Sequence, residues 1–166
     1  MLRTGLTTTI AFPASSATDM LPLTVSLFTK EDISAIVEIE AEQFSTPFKE
    51  KDFLDILNSE ISNVLVVKAN GVLCGYVSFT VIIDECQIIN FATKEEFKRQ
   101  GVGSFVMQSL FEHCEPQGVI KYFLEVRESN NAAISLYEKY GFVPVGISKN
   151  HFSAPRENAI LMNLEL

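Results

Sequence analysis

Two hydrophobic periods organise this chain. Alternating or continuous apolar runs rich in β-branched residues predict strands over 23–28, 64–68, 72–83, 86–92, 119–127, 142–147 and 159–164. Apolar residues three and four positions apart predict helices over 31–43, 49–58, 101–115 and 130–140. The predicted order is β-α-α-β-β-β-α-β-α-β-β, and no repeat or linker divides it. The pattern therefore predicts one α/β domain with a mixed central sheet of about seven strands and about four helices.

Residues 1–20 precede the patterned region and are rich in Thr and Ser. Pro13 interrupts the only apolar patch there, at 10–12, which is too short for a secretory signal. We expect a flexible leader over 1–20 followed by the domain over 21–166, with an organellar transit peptide as the alternative. No apolar run approaches the roughly 20 residues that cross a bilayer, so we expect no membrane partner.

The charge and the cysteines narrow the partners further. The chain has a net charge of −8, and a negative surface repels nucleic-acid phosphates and attracts basic groups. We therefore expect a basic protein partner and no direct contact with nucleic acid. Cys74, Cys86 and Cys114 are odd in number and lack metal-binding spacing, which predicts no metal and free thiols in a reducing, cytoplasmic compartment.

A basic, Gly-rich turn, KRQGVG at 98–103, opens the third predicted helix. A P-loop requires Lys after its last Gly, but Gly103 is followed by Ser104. A dinucleotide fingerprint requires a third Gly where Val106 stands. What remains is a helix N-terminus whose free backbone N–H groups, beside two basic residues, can hold a pyrophosphate. The alternative is an ordinary exposed helix start.

Two residues further along can supply a base and an acid. Glu125 lies in mid-strand on the same face as Phe123 and Arg127, so we expect its carboxylate to be partly desolvated, which raises a carboxyl pKa. A structural ion pair with Arg127 is the alternative. Tyr137 shares a helix face with Asn130 and can donate a proton, or it packs in the core.

Two weaker candidates concern an acceptor substrate. His151 lies in a polar segment predicted as a loop, where it either contacts substrate or is merely exposed. Asp84 and Glu85 form a rival acidic pair at the start of a strand, and Glu85 is the second candidate for contact with substrate. Packing is the preferred interpretation of His113.

Seven segments in this order resemble the GCN5-related N-acetyltransferase (GNAT) superfamily, and more narrowly the bacterial ribosomal-protein-alanine N-acetyltransferase group. The resemblance covers roughly 23–166, and its most specific segment is LEVRESNNAAISLYEKYGF at 124–142. The others are IEAEQFSTPF at 39–48, GYVSF at 75–79, DECQIINFA at 84–92, RQGVGS at 99–104, VGISKNHF at 145–152 and ENAILM at 157–162.

The resemblance implies acetyl-CoA as the donor and the N-terminal alanine of a small-subunit ribosomal protein as the acceptor. It implies a splayed strand pair, with pantetheine beside 89–92. It implies that Glu125 is the general base and Tyr137 the general acid. The positions that it implies for cofactor binding are Phe91, Ala92, Arg99, Gln100, Gly101, Val102, Gly103, Ser104 and Asn130.

The sequence departs from the family pattern at four places. Lys98 opens the turn, and Pro47-Phe48 stands where the close group has Pro-Trp. Near the C-terminus, His151-Phe152 replaces Tyr-Tyr and Glu157-Asn158 replaces Glu-Asp, at positions that border the acceptor site. A lysine or small-amine acetyltransferase therefore remains an alternative, as does a non-catalytic acetyl-CoA-binding module. Nothing in the sequence requires more than a monomer.

Overall fold

The computed structural model of the chain describes residues 8–11 and 22–166. The helices are α1 (Ile33–Gln43), α2 (Glu50–Leu57), α3 (Val102–Cys114) and α4 (Asn131–Lys139). The strands are β1 (Thr8–Ala11), β2 (Pro22–Leu27), β3 (Ser62–Ala69), β4 (Val72–Ile82), β5 (Glu85–Thr93), β6 (Lys121–Arg127), β7 (Val143–Ser153) and β8 (Arg156–Glu165). Single 3₁₀ turns occupy Lys30–Asp32, Glu95–Phe97 and Glu115–Gln117. The predicted α/β fold is confirmed.

One mixed sheet carries all these strands, in the order β1-β2-β3-β4-β5-β6-β8-β7. Every neighbouring pair is antiparallel except β5 and β6. Strand β1 was not predicted; it lies within the segment interpreted as a leader and pairs with β2. Apart from β1, residues 1–20 lie outside the described residues, so the leader and the domain boundary stay predictions.

Strands β5 and β6 separate along their length. They pair in parallel at only three positions, where 85–87 lie beside 121–123. On its other edge β5 carries a bulge at Ile89, the residue left between two consecutive pairings with β4. A bulge bends its strand and increases the local twist, which here accompanies the departure of β5 from β6. The splayed pair opens a cleft at the C-terminal ends of both strands.

Helices cover both faces of the sheet. Helices α1 and α2 pack on one face with Val64, Val66 and Tyr76, whereas α3 and Tyr137 of α4 pack on the other. Strand β3 reads as an unbroken apolar run because both of its faces are buried. A Cβ at Gly75 would lie 2.9 Å from Cγ1 of Val102, so this glycine lets the start of α3 approach β4 closely.

The C-terminal hairpin is longer than the sequence predicted. The apolar pattern predicts strands over 142–147 and 159–164, but β7 continues to Ser153 and β8 begins at Arg156. Strand β7 is the edge of the sheet and most of its residues are exposed, so it shows little of the alternation that marks a half-buried strand. His151 therefore lies on a strand, and its prediction as a loop residue was wrong.

Within the described residues, no helix is long and apolar enough to cross a lipid bilayer.

Candidate active site

The cleft between β5 and β6 contains two adjoining cavities, of about 270 Å³ and about 280 Å³. The first, which we call the splay cavity, is lined by Gln43, Phe44, Ser45, Thr46, Ile88, Ile89, Asn90, Phe91, Leu124, Glu125, Val126, Arg127, Asn130, Ala133, Tyr137 and Phe152. The second, the turn cavity, is lined by Gln43, Phe44, Phe91, Ala92, Thr93, Lys98, Arg99, Gly103, Asn130, Ala132, Ala133 and Leu136. Five residues are common to both, so the two cavities form one cleft.

The Gly-rich turn supplies one end of this cleft. Gly101 adopts a left-handed conformation, with φ of 84°, and α3 begins at the next residue. The first backbone N–H groups of a helix have no partner within it, and here they belong to 102–104. Lys98 and Arg99 both line the turn cavity, and Lys98 also pairs with Glu95 at 2.7 Å. Free N–H groups beside a guanidinium form a site suited to a phosphate group.

Three predicted residues of the turn direct their side chains elsewhere. The Gln100 amide donates to the Glu96 carbonyl oxygen at 3.0 Å, and Val102 is buried in the core. The Ser104 hydroxyl lies 3.3 Å from Nζ of Lys139. None of the three lines the turn cavity, so it is mainly the backbone of these residues that is available to a phosphate.

Strand β5 offers backbone groups to the cleft. The N–H groups of Asn90 and Lys94 both point toward β4, where they donate to a serine hydroxyl at 3.0 Å and to a carbonyl oxygen at 2.8 Å. Successive backbone groups of a strand face opposite edges, so the N–H groups of Phe91 and Thr93 face the edge that β6 has left. The side chain of Ala92 packs toward α1 and α2. The splayed edge can therefore bind an extended ligand or stabilise an oxyanion.

Glu125 lies on the opposite wall, on β6. Its side chain is 43% exposed, and its Oε2 lies 2.8 Å from Nε2 of His151. Its side chain is more exposed than those of its neighbours on β6, because this face of the strand borders the open cleft rather than the core. The alternative ion pair with Arg127 is absent, since Arg127 pairs with Glu157 at 3.1 Å. The carboxylate is accessible from the splay cavity.

His151 reaches Glu125 from the edge strand β7. Its Nδ1 lies 3.4 Å from the Ser148 hydroxyl, and its ring meets the Phe152 ring edge-to-face at 4.8 Å. These contacts hold the imidazole against the carboxylate. The sequence pointed to His151 but gave no sign of its pairing with Glu125, because only the length of the hairpin shows that β7 extends far enough.

Tyr137 combines a packed ring with an unbonded hydroxyl. The residue is 5% exposed, and its ring packs against Phe91 and Phe142, each at 5.8 Å. Burial raises the pKa of the phenol, so the hydroxyl keeps its proton. The Tyr137 hydroxyl makes no hydrogen bond. Among the described residues only the Tyr122 hydroxyl is both buried and without a hydrogen bond, so the Tyr137 hydroxyl reaches accessible space. Tyr137 lines the splay cavity as a protonated donor.

Asn130 joins the two cavities. It is the N-cap of α4, where its Oδ1 accepts a hydrogen bond from the Ala133 backbone N–H at 3.2 Å. Because that oxygen is used in the cap, the amide nitrogen of Asn130 is left to donate into the cleft.

The sequence model of the Acetyltransferase (GNAT) family matches residues 33–142. The chain belongs to the GNAT family of acetyltransferases. It is therefore an acetyltransferase, and acetyltransferases of this family use acetyl-CoA. The matched segment contains the splayed strands, the Gly-rich turn and α4, which together form the cleft.

Individual GNAT relatives match most of this chain. A Bacillus subtilis protein, whose assignment as a [ribosomal protein bS18]-alanine N-acetyltransferase is provisional, is 36% identical over 80% of this chain and 88% of its own. The crystal structure of the ribosomal-protein-S18-alanine N-acetyltransferase from Escherichia coli shares 33% identity, with a TM-score of 0.79, over 86% of this chain and 93% of its own. Ard1 from Thermoplasma volcanium shares 29% identity, with a TM-score of 0.80, over 87% and 97%.

Glu85, predicted to contact substrate, lies away from this GNAT cleft. It starts β5 at the paired end, where its carboxylate is 3.8 Å from Nζ of Lys121, and it lines neither cavity. Within the described ranges, no group of three His, Cys, Asp or Glu residues is placed to hold a metal ion.

Proposed function

We propose that this protein transfers the acetyl group of acetyl-CoA to the N-terminal alanine of a small-subunit ribosomal protein. The carrying observation is that Glu125 and the open backbone edge of β5 face each other across one cavity, which continues to the anion site at α3. The E. coli relative acts on the alanine of ribosomal protein S18. A net charge of −8 suits a basic protein N-terminus, and a ribosomal substrate implies a cytoplasmic enzyme.

Groups along the cleft suit successive parts of acetyl-CoA. The N–H groups of 102–104 and the Arg99 guanidinium would hold the diphosphate, and the Asn130 amide would donate to the cofactor. The outward N–H group of Thr93 would pair with pantetheine as a neighbouring strand does, which leaves the Phe91 N–H free for the reacting carbonyl. This arrangement would leave the thioester in the splay cavity, which both Glu125 and Tyr137 line.

The chain's own groups then serve a direct transfer. Glu125 takes a proton from the attacking amine, either directly or through water, and Tyr137 gives one to the departing thiolate. The Phe91 N–H stabilises the developing oxyanion. An α-amino group titrates near 7.7–8.0, so its deprotonation at pH 7 costs only about 1 kcal/mol, against about 4.6 kcal/mol for lysine. A single accessible carboxylate is therefore better matched to an N-terminus.

A lysine or small-amine acetyltransferase is the second candidate. It is favoured by His151, which binds Glu125, and by Phe152, which lines the splay cavity, where the close group carries two tyrosines.

Intact-mass measurement after incubation with acetyl-CoA separates these functions. The peptides begin with Ala, Ser or Met, and a fourth is blocked at its N-terminus and carries an internal Lys. We expect acetylation to be fastest on the Ala peptide. Transfer to the blocked Lys peptide alone would favour the second candidate, and coenzyme binding without any transfer would indicate a non-catalytic module.

Replacing Tyr137 by Phe should lower kcat by about 10²-fold, because it removes the proton donor. The ring contacts with Phe91 and Phe142 are kept, so the melting temperature should stay close to wild type. Steady-state kinetics and thermal unfolding measure the two effects.

Tyr122→Phe is the matched control for this change. It removes a hydroxyl that is buried in the core beside Cys114 and lines neither cavity, so kcat should be unchanged. A wild-type rate in Tyr137→Phe would assign this tyrosine to packing alone.

A further inference from the structure

Glu40 is a fully buried carboxylate that the mechanism above does not use. It lies on α1, and its Oε1 accepts hydrogen bonds from the Tyr76 hydroxyl and from Nδ2 of Asn90, the latter at 2.6 Å. Its Oε2 accepts the backbone N–H of Phe48 at 2.9 Å. Burial raises the pKa of Glu40, and the three donors act in the opposite direction. A buried carboxylate must keep its hydrogen bonds, so it fixes the groups that donate them.

Asn90 is the one donor of this network that lines the splay cavity. Because Nδ2 faces the carboxylate, the orientation of the amide is determined, and Oδ1 takes the other direction. In the described part of the chain Oδ1 has no hydrogen-bond partner, and only Tyr122 has a polar atom that is both buried and unpartnered. Oδ1 therefore reaches accessible space. The Asn90 backbone N–H, which donates to the Ser78 hydroxyl at 3.0 Å, holds the residue from its other end.

Two hydrogen-bond acceptors thus border one cavity from its two walls. Asn90 belongs to β5 and Glu125 to β6, and these strands no longer pair at this level. A carbonyl oxygen and a carboxylate that flank the same space suit a ligand group with two N–H donors. A primary amine is such a group, whereas a hydroxyl or a secondary amine is not.

We propose that Oδ1 of Asn90 binds the attacking primary amine of the acceptor and that Glu40 is the residue that positions Asn90. The inference rests on the proposed function and assigns one more contact within it. The neutral amine carries two N–H bonds. As its nitrogen bonds to the acetyl carbon and the carbon–sulfur bond breaks, one proton passes to Glu125 and the other, held by Asn90, stays in the product amide. The thiolate takes a proton from Tyr137, and exchange with solvent restores both side chains.

A peptide whose N-terminus is a secondary amine tests the role of Asn90. An N-methylalanine terminus has one N–H when neutral, and that proton must leave toward Glu125. The methyl group then lies where Oδ1 would accept a hydrogen bond. The wild-type enzyme should accordingly acetylate an N-methylalanine peptide at least about tenfold more slowly than the matching alanine peptide.

The experiment measures both peptides with the wild-type enzyme and with Asn90→Ala. We expect the variant to lower kcat/KM for the alanine peptide by about 10- to 100-fold, with the acetyl-CoA Kd within about twofold of wild type. For the N-methylalanine peptide the same substitution should change kcat/KM by less than about threefold, because the hydrogen bond is already absent. A residue that only supports the fold would affect both peptides alike.

Tyr76→Phe is the control. It removes another donor to the same Glu40 oxygen, but Tyr76 lines neither cavity, so it should lower stability and leave the ratio between the peptides unchanged. Equal losses for both peptides in Asn90→Ala, or the same peptide-dependent loss in Tyr76→Phe, would overturn the assignment. So would equal rates for the two peptides in the wild type, a comparison that needs no variant. Failure of the wild type to acetylate any N-terminal peptide would reject the proposed function itself.

Discussion

Glu125→Gln is expected to lower kcat by about 10²- to 10⁴-fold at neutral pH. Glutamine has nearly the same shape and can still bond to His151, but it cannot take up a proton. The loss should narrow as the pH rises past the α-amino pKa of about 8, because the acceptor amine is then neutral without help. Initial rates with an alanine peptide, measured from about pH 6 to pH 9, report this dependence.

Glu128→Gln is the matched control for that experiment. Glu128 is an exposed carboxylate close by in the chain that lines neither cavity, so its substitution should leave kcat and the pH profile unchanged. The acetyl-CoA Kd should stay near wild type in both variants. If Glu125→Gln kept more than half of the wild-type rate at the low end of the pH range, the base would have to be sought elsewhere. His151→Gln would then be the first variant to show the pH-dependent loss.

Gly103→Asp is expected to raise the Kd for acetyl-CoA by more than about 100-fold. The new carboxylate would lie in the first turn of α3, against the site proposed for the diphosphate, where like charges repel. Asp in the first turn of a helix is otherwise favourable, so the melting temperature should not fall much. Affinity and stability should therefore move independently, and calorimetric titration together with thermal unfolding measures both.

Gly103→Ala separates charge from crowding. A Cβ at this position would lie 3.3 Å from Cδ2 of Leu136 and 3.8 Å from Oγ1 of Thr93, and the first of these atoms ends a flexible side chain. Alanine should therefore weaken binding by only about fivefold or less, since it adds bulk and no charge. Similar affinities for the Ala and Asp variants would mean that the diphosphate lies away from this turn.

The sequence predicted the elements that have a buried face. The run 64–67 is buried on both faces of β3, and its unbroken apolar character identifies a strand without any knowledge of the fold. The end of β7 was missed for the opposite reason, since Lys149 and Asn150 are exposed on an edge strand where no pattern is required. This end of β7 is a strand only because it pairs with β8. A local sequence pattern does not reveal such pairing.

The sequence identified residues of the candidate site, but it did not predict their surroundings in the fold. Glu125 and Tyr137 were singled out from strand alternation and helix spacing, yet the open cleft beside Glu125 depends on where β5 leaves β6. A signal for Glu40 was present, because it follows Ile33 and Ile36 at helical spacing and so falls on the buried stripe of α1. Its partner Asn90 is fifty positions away in the chain, which no local pattern records.

Beyond their three paired positions, no backbone hydrogen bond between β5 and β6 fixes the distance between these strands. The distance depends instead on the side chains at the point where the two strands separate. Ile88 and Leu124 lie there, and both are buried and line the splay cavity. Bulk added or removed there would change the aperture without altering any reacting group. Related enzymes can therefore differ in the size of acceptor that they admit through the volume of these two apolar side chains alone, while the reacting groups on both walls stay the same.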